Sequence, residues 1–295
     1  LPFFAKASAA SRAVMATMHM PKVMACLNGL QNTAWRINKR ILETAQALAP
    51  VQNFGELALA ELGNRPDAPA WLDAVGQDAR SEAQEAEFAE WKRRMAEWYT
   101  ARKLQRTSRV RLGTIIRVAD DFKEYPELFF VYYCDSRGRV YPATTGVSPQ
   151  GSDLQKAMLE FAHGKQVKGK VATEWFLING ANKFGFDKAP LAERATWHMD
   201  KALLLLSFAD DPVNNQGWQE ADKPFQFLAW CFEYAEWFRT GSVCSHLPVG
   251  LDGSCSGLQH LSAMLRDEIG GRAVNLTPSA EMQDIYKYVA DAATA

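Results

Sequence analysis

LFFVYYCDSRGRVYP, residues 128–142, decides the fold class. Leu128–Tyr133 is dense in aromatic and β-favouring residues. Cys134–Arg139 is polar and centred on Gly138, and Val140–Pro142 resumes the apolar pattern. This reads as two short strands around a polar turn. Elsewhere the chain reads differently. Upstream, residues 81–104 form a long charged helical stretch that passes from acidic to basic. Residues 21–49 read as helical from Pro21, a residue suited to a first turn. Residues 50–80 are a connection punctuated by Pro, Gly and Asp. Downstream, SPQGSD (148–153) offers Ser152 or Asp153 as a helix N-cap. Helical spacing then recurs over 153–162, 171–184, 190–208, 223–239 and 258–268, and again from about Ala280. LPVGL (247–251) reads as one more strand. The class is α+β, mostly helical, with a small antiparallel sheet carrying the polar turns.

The 295 residues suffice for one large domain or two with a sizeable core. At 47% hydrophobic the chain is globular, and its net charge of -1 leaves any nucleic-acid argument to local charge. The five cysteines form no CxxC pair, which predicts reduced, buried thiols of a cytosolic protein and excludes a cysteine-rich metal site. The most apolar helix candidate, FQFLAWCFEYAEWF, is interrupted by Glu233 and Glu236, so no membrane span is expected. The opening residues lack an initiator methionine and the last ones stop inside a helix-like run. Both ends predict a longer parent chain.

Four patterns carry chemistry. In LDGSCSGLQH (251–260) an acid, Asp252, follows the LPVGL segment and precedes small residues. A carboxylate beside open space, with the Gly253 carbonyl available, suits a hard cation with bound phosphates. The competing reading is that Asp252 caps the next helix. GSCSG also fits a nucleophile elbow with Cys255 in place of serine, hence a cysteine hydrolase. Of the histidines only His260 follows it, on the same helix, and alternating βα units are missing. A small packing thiol is the preferred reading of Cys255. In DSRGRVYP, Arg137 and Arg139 flank Gly138, and arginine forks grip phosphate. The alternative is a surface turn with one ion pair to Asp135. In WKRRMAEWYTARKLQRTSRVR (91–111), cations including Arg109 and Arg111 outnumber acids, with Trp91, Trp98 and Tyr99 interleaved. Such a helix suits a nucleic-acid backbone; a solvated helix with core aromatics is the plainer account.

Taken together, DGSCSGLQHLSAMLRDEIGGRAVNL (252–276) and DSRGRVYP resemble the single-subunit DNA-directed RNA polymerases of bacteriophage type, relatives of the mitochondrial enzyme. NTAWRINKR, SPQGSD, INGAN, FLAWCFEYA and QDIY resemble segments of the same enzymes in the same order. The resemblance implies part of a right-hand polymerase. Residues 1–40 would end an N-terminal region, 41–125 form a thumb-like helical region, 126–268 the first part of the palm, and 269–295 the start of the fingers. It implies that Asp252 and the Gly253 carbonyl help hold two Mg2+ ions for an in-line displacement. Gly257 would leave room for a ribose 2′-OH, where related DNA polymerases carry a glutamate. Lys188 and Tyr286 would contact nucleotide, and Lys156, Arg137 and Arg139 the template and hybrid.

The implied partners are a DNA template, the RNA transcript and NTPs, the protein working as a monomer in the cytoplasm of an infected host. The second metal-binding aspartate and the fingers lysine and tyrosine are expected beyond Ala295, so residues 1–295 alone are expected to be inactive. The rival reading is a nucleic-acid-binding remnant, or one half of a split polymerase, that makes no phosphodiester bonds.

Overall fold

The computed structural model describes residues 8–17, 19–51, 62–76, 79–135, 139–250, 252–279 and 282–294. It divides into two compact units, Leu1–Ala162 and His163–Ala295. Among the described residues it is mostly helical, with three separate two-stranded antiparallel sheets in place of the single small sheet expected. Among the described residues, no helix is long and apolar enough to cross a membrane.

The first unit opens with α1 (Ala9–Thr17) and α2 (Pro21–Gln31), then β1 (Trp35–Ile37), α3 (Lys39–Leu48) and α4 (Glu82–Phe122). The helix expected over 21–49 is thus broken by a strand. The reason is tertiary: Trp35–Ile37 pairs with residues 159–161, an interaction invisible to local spacing. Asn38 then caps α3, its side chain accepting from the Ile41 N–H at 3.2 Å. Ser81 starts α4 with a capping box, exchanging bonds with Gln84.

The decisive stretch folds as expected into a hairpin of β2 (Tyr132–Cys134) and β3 (Val140–Pro142). The Asp135 N–H donates to the Arg139 carbonyl at 2.8 Å. α5 (Asp153–Ala157) begins at Ser152, whose N–H donates to the Gln155 side chain at 3.0 Å. It is shorter than expected, because β4 (Leu159–Phe161) takes over to pair with β1. There the Trp35 and Phe161 rings lie 4.6 Å apart and Arg36 meets Glu160 at 2.6 Å.

The second unit runs β5 (Lys165–Val167), α6 (Gly169–Phe184), α7 (Leu191–Thr196), α8 (Ala202–Asp210), α9 (Pro224–Thr240) and β6 (Val243–Ser245). It continues with α10 (Ser256–Leu265), α11 (Glu268–Ala273) and α12 (Ile285–Thr294). The helix expected over 190–208 is two helices joined by a 3-10 turn at Met199–Lys201. Of the LPVGL segment, the described residues Leu247–Gly250 form no strand; β6 ends before them and pairs with β5.

The core of this unit is aromatic. Trp230 of α9 is fully buried, its indole N–H donating to the Phe176 carbonyl at 2.9 Å, with the Phe227 and Tyr234 rings beside it. Gly180 of α6 allows this approach: a Cβ there would stand 2.2 Å from the Trp230 ring. His198 Nδ1 lies 2.9 Å from the Tyr234 hydroxyl. Burial lowers the His198 pKa and pushes Tyr234 up to about 12, so both side chains favour their neutral forms.

The cysteines are all free. Cys134 and Cys231 are buried, as expected, and Cys244 and Cys255 partly so. Cys26 is exposed, which corrects the expectation of uniformly buried thiols.

Candidate functional site

Residues 246–250 lead from β6 to the candidate turn. They are tied to α9 by the His246 N–H, which donates to the Glu233 carboxylate at 2.8 Å. Asp252 then stands exposed, and its carboxylate accepts from the Gly253 N–H at 2.8 Å. It does not cap the following helix. The N-cap of α10 is Cys255, which makes no side-chain capping bond. This removes the competing account of Asp252 as a cap, and leaves its oxygens on the surface of a short, small-residue turn.

Two glycines shape that turn in different ways. A Cβ on Gly253 would meet the Gln259 side-chain oxygen at 2.7 Å, whereas nothing lies within 4 Å of one on Gly257. The first glycine permits a close contact; the second leaves open space next to the first turn of α10. Tyr286, near the start of α12, stands beside this turn. Its hydroxyl pKa is raised, first by the nearby Cys255 thiol and in smaller part by burial, Asp284 and Asp252. His260 lies on α10, whose N-cap is Cys255.

Asp252, Gly253, Gly257 and Tyr286 thus come together in one place. Lys188 sits in the same unit, on the exposed loop after α6, with its ammonium 3.5 Å from Asp187. The remaining candidates belong to the first unit. Arg139 is exposed, and its N–H donates to the Asp135 carboxylate at 2.9 Å. Arg137 lies outside the described residues. Lys156 is exposed on α5.

Arg109 and Arg111 are exposed on α4 but do not share a face, being two residues apart on a helix. Arg102, Arg106 and Arg109 do fall on one face, by their spacing of four and three. The interleaved tryptophans are partly occupied: Trp91 and Trp98 donate to the carbonyls of Pro66 and Gly63. Arg93 is held between Glu90 and Glu97 at 2.7 and 2.8 Å, so part of the basic run is paired with acids of its own helix.

Sequence reasoning missed two residues here. Gln259 donates to the Val274 carbonyl at 2.7 Å while its oxygen lies against Gly253. Asn275 reaches both Ser254 and Gln283. Neither has a local signature, since both act on partners brought close only by folding.

Comparison with known proteins gives a consistent picture. Residues 166–295 match the family model described as DNA-dependent RNA polymerase. The chain is 42% identical over 282 residues to the DNA-directed RNA polymerase of Enterobacteria phage T3, covering 92% of this chain and 30% of that one. It is 41% identical over 279 residues to T7 RNA polymerase of Escherichia phage T7, with the same coverage. A chloroplastic/mitochondrial DNA-directed RNA polymerase of Nicotiana sylvestris is 33% identical over 277 residues, 91% of this chain and 26% of that one. The chain therefore spans about 30% of the length of the phage relatives it matches, and by sequence it is similar to part of the phage RNA polymerases and of their organellar counterparts.

Proposed function

We propose that this chain supplies part of the catalytic centre of a DNA-directed RNA polymerase, which adds ribonucleotides from NTPs to an RNA 3′ end in the order of a DNA template. The observation that carries the reading is the Asp252 turn. An exposed carboxylate that caps nothing stands five residues before Gly257, a glycine open on its side-chain side, within a segment similar to the phage polymerases. In this reading residues 41–125 act as thumb, 126–268 as the first part of the palm and 269–295 as the start of the fingers, with 1–40 ending an N-terminal region.

The donors at the turn fit Mg2+ in part. The Asp252 carboxylate and Gly253 carbonyl are hard oxygens on an exposed turn, suited to a cation that keeps water and phosphate oxygens in its shell. Among the described residues, no group of three or more His, Cys, Asp and Glu that could hold a metal comes together. A further carboxylate must therefore join Asp252 before two ions can be held. Mg2+ bound there supplies charge neutralisation for the reacting phosphates.

The chain's own residues do the rest. Open space at Gly257 admits the ribose 2′-OH, and Tyr286 meets the nucleotide from the edge of the turn. Lys188 offers an exposed charge to a triphosphate. Arg137, Arg139, Lys156, Arg109 and Arg111 hold the template and transcript by their phosphates. The reaction takes place in the cytoplasm of an infected host.

The test is template-directed extension by a polymerase-length protein carrying this sequence. Asp252→Asn is expected to lower the rate by about 10²–10³ or more, the scale of losing one preorganised charge-stabilising group. Gly257→Glu is expected to weaken ribonucleotide use selectively. Residues 1–295 alone are expected to give no extension. Full extension by Asp252→Asn would remove Asp252 from the catalytic centre, and no extension by the unaltered protein with hybrid binding intact would leave only a nucleic-acid-binding module.

A further inference from the structure

We infer that Asn275 is a positioning residue that ties the Asp252 turn to the segment carrying Tyr286. Its catalytic meaning rests on the polymerase reading; its geometry does not. Asn275 follows Val274, which is fully buried. Its amide nitrogen donates to the Ser254 hydroxyl and to the Gln283 carbonyl, each at 2.8 Å, while its side-chain oxygen accepts from the Gln283 N–H at 2.8 Å. Three of the four hydrogen bonds a carboxamide can make are thus used on two segments. One segment holds Asp252, two residues before Ser254. The other leads into α12, with Tyr286 three residues after Gln283.

Position 275 needs this residue type for two reasons. Its backbone is left-handed, φ 55°, a region asparagine visits more readily than most side chains. The two segments also demand a donor and an acceptor from one short side chain. Gln259 completes the brace from the other side. It fixes the Val274 carbonyl, one residue before Asn275, and its oxygen packs against Gly253.

Apolar packing does not hold α12 in place: none of its residues is buried. Placement of Tyr286 beside the turn therefore falls to polar bonds, of which the Asn275 set joins it to the turn. A reacting group held this way is only as well placed as the side chain that supports it.

The test has two arms. In the 295-residue chain, Asn275→Gly keeps the left-handed backbone at no strain and removes all three bonds, while Asn275→Asp keeps only the acceptor. Ser254→Ala removes one bond and guards against misfolding of the others. Amide hydrogen exchange is expected to quicken at 253–255 and 283–286 by about tenfold in Asn275→Gly, and less in Ser254→Ala, with α6–α9 unchanged. Adding Ser254→Ala to Asn275→Gly is expected to add nothing, since the two share one bond.

In a polymerase-length protein, Asn275→Gly is expected to raise the NTP KM by about 10–100-fold, more than it lowers kcat. Unchanged exchange in both single variants overturns the brace. Faster exchange with an unchanged KM, where Asp252→Asn still abolishes extension, overturns the positioning role and leaves the polymerase reading standing. Extension that survives Asp252→Asn overturns that reading, and the exchange result then decides the brace alone.

Discussion

The second unit contains two kinds of structure that follow one another in sequence. Helix α9 buries more than half of its residues around Trp230. Helix α10 buries only Ser262, α12 buries nothing, and Met264, Leu265 and Ile269 are 74%, 68% and 83% exposed. The first is held by volume, the second by hydrogen bonds from Asn275, Gln259 and Asp267. Asp267 is the N-cap of α11, accepting from the Ile269 and Gly270 N–H groups. Asp252, Gly253, Gly257 and Tyr286 all sit on the thinly packed side. A packed aromatic scaffold fixes where the turn begins, and polar bonds set where it points.

Three substitutions test that contrast through urea denaturation of the 295-residue chain. Trp230→Ala removes a fully buried side chain and its bond to Phe176, and is expected to cost about 3–5 kcal/mol. Gly180→Ala keeps the tryptophan but drives a methyl into its ring, and is expected to cost about 1–3 kcal/mol. Leu265→Ser removes a large apolar side chain that stands in solvent, and is expected to change stability by no more than about 0.5 kcal/mol. A Leu265→Ser cost equal to that of Gly180→Ala would mean that α10 is packed, and the contrast would collapse. A Trp230→Ala cost near zero would break it from the other side.

Much of the fold was legible because long periodic segments declare themselves. Helices α6 and α9 stand within two residues of their expected bounds, and the 128–142 hairpin was readable from its strand formers and central glycine. What failed was short and non-local. The three-residue strand at Trp35–Ile37 gains its geometry from a partner 124 residues away in the Arg36–Glu160 pair. LPVGL has strand-forming residues, yet the pairing with β5 is taken by Val243–Ser245.

The candidate site divides the same way. Asp252 and Gly257 stood out because an acid among small residues is rare enough to need a reason. Gln259 and Asn275 look like ordinary polar residues in one dimension, and become supports only when Val274, Ser254 and Gln283 are brought to them.

Helix α4 has a mechanical consequence. Apart from Met95, its buried residues, Leu112, Ile115 and Ala119, lie in its last third, where α3 is fastened to it by Gln46 to Asp120, and just past its end Lys39 meets Glu124. From Ile115 back to Glu82 the helix runs roughly 50 Å. A helix whose buried residues fall mainly near one end is a lever, and its fulcrum is that buried cluster. A tilt of about 10° there sweeps the far end through roughly 9 Å, for the same rise per residue. Small changes in packing at Ile115 would therefore become large displacements of the arginine-bearing arm.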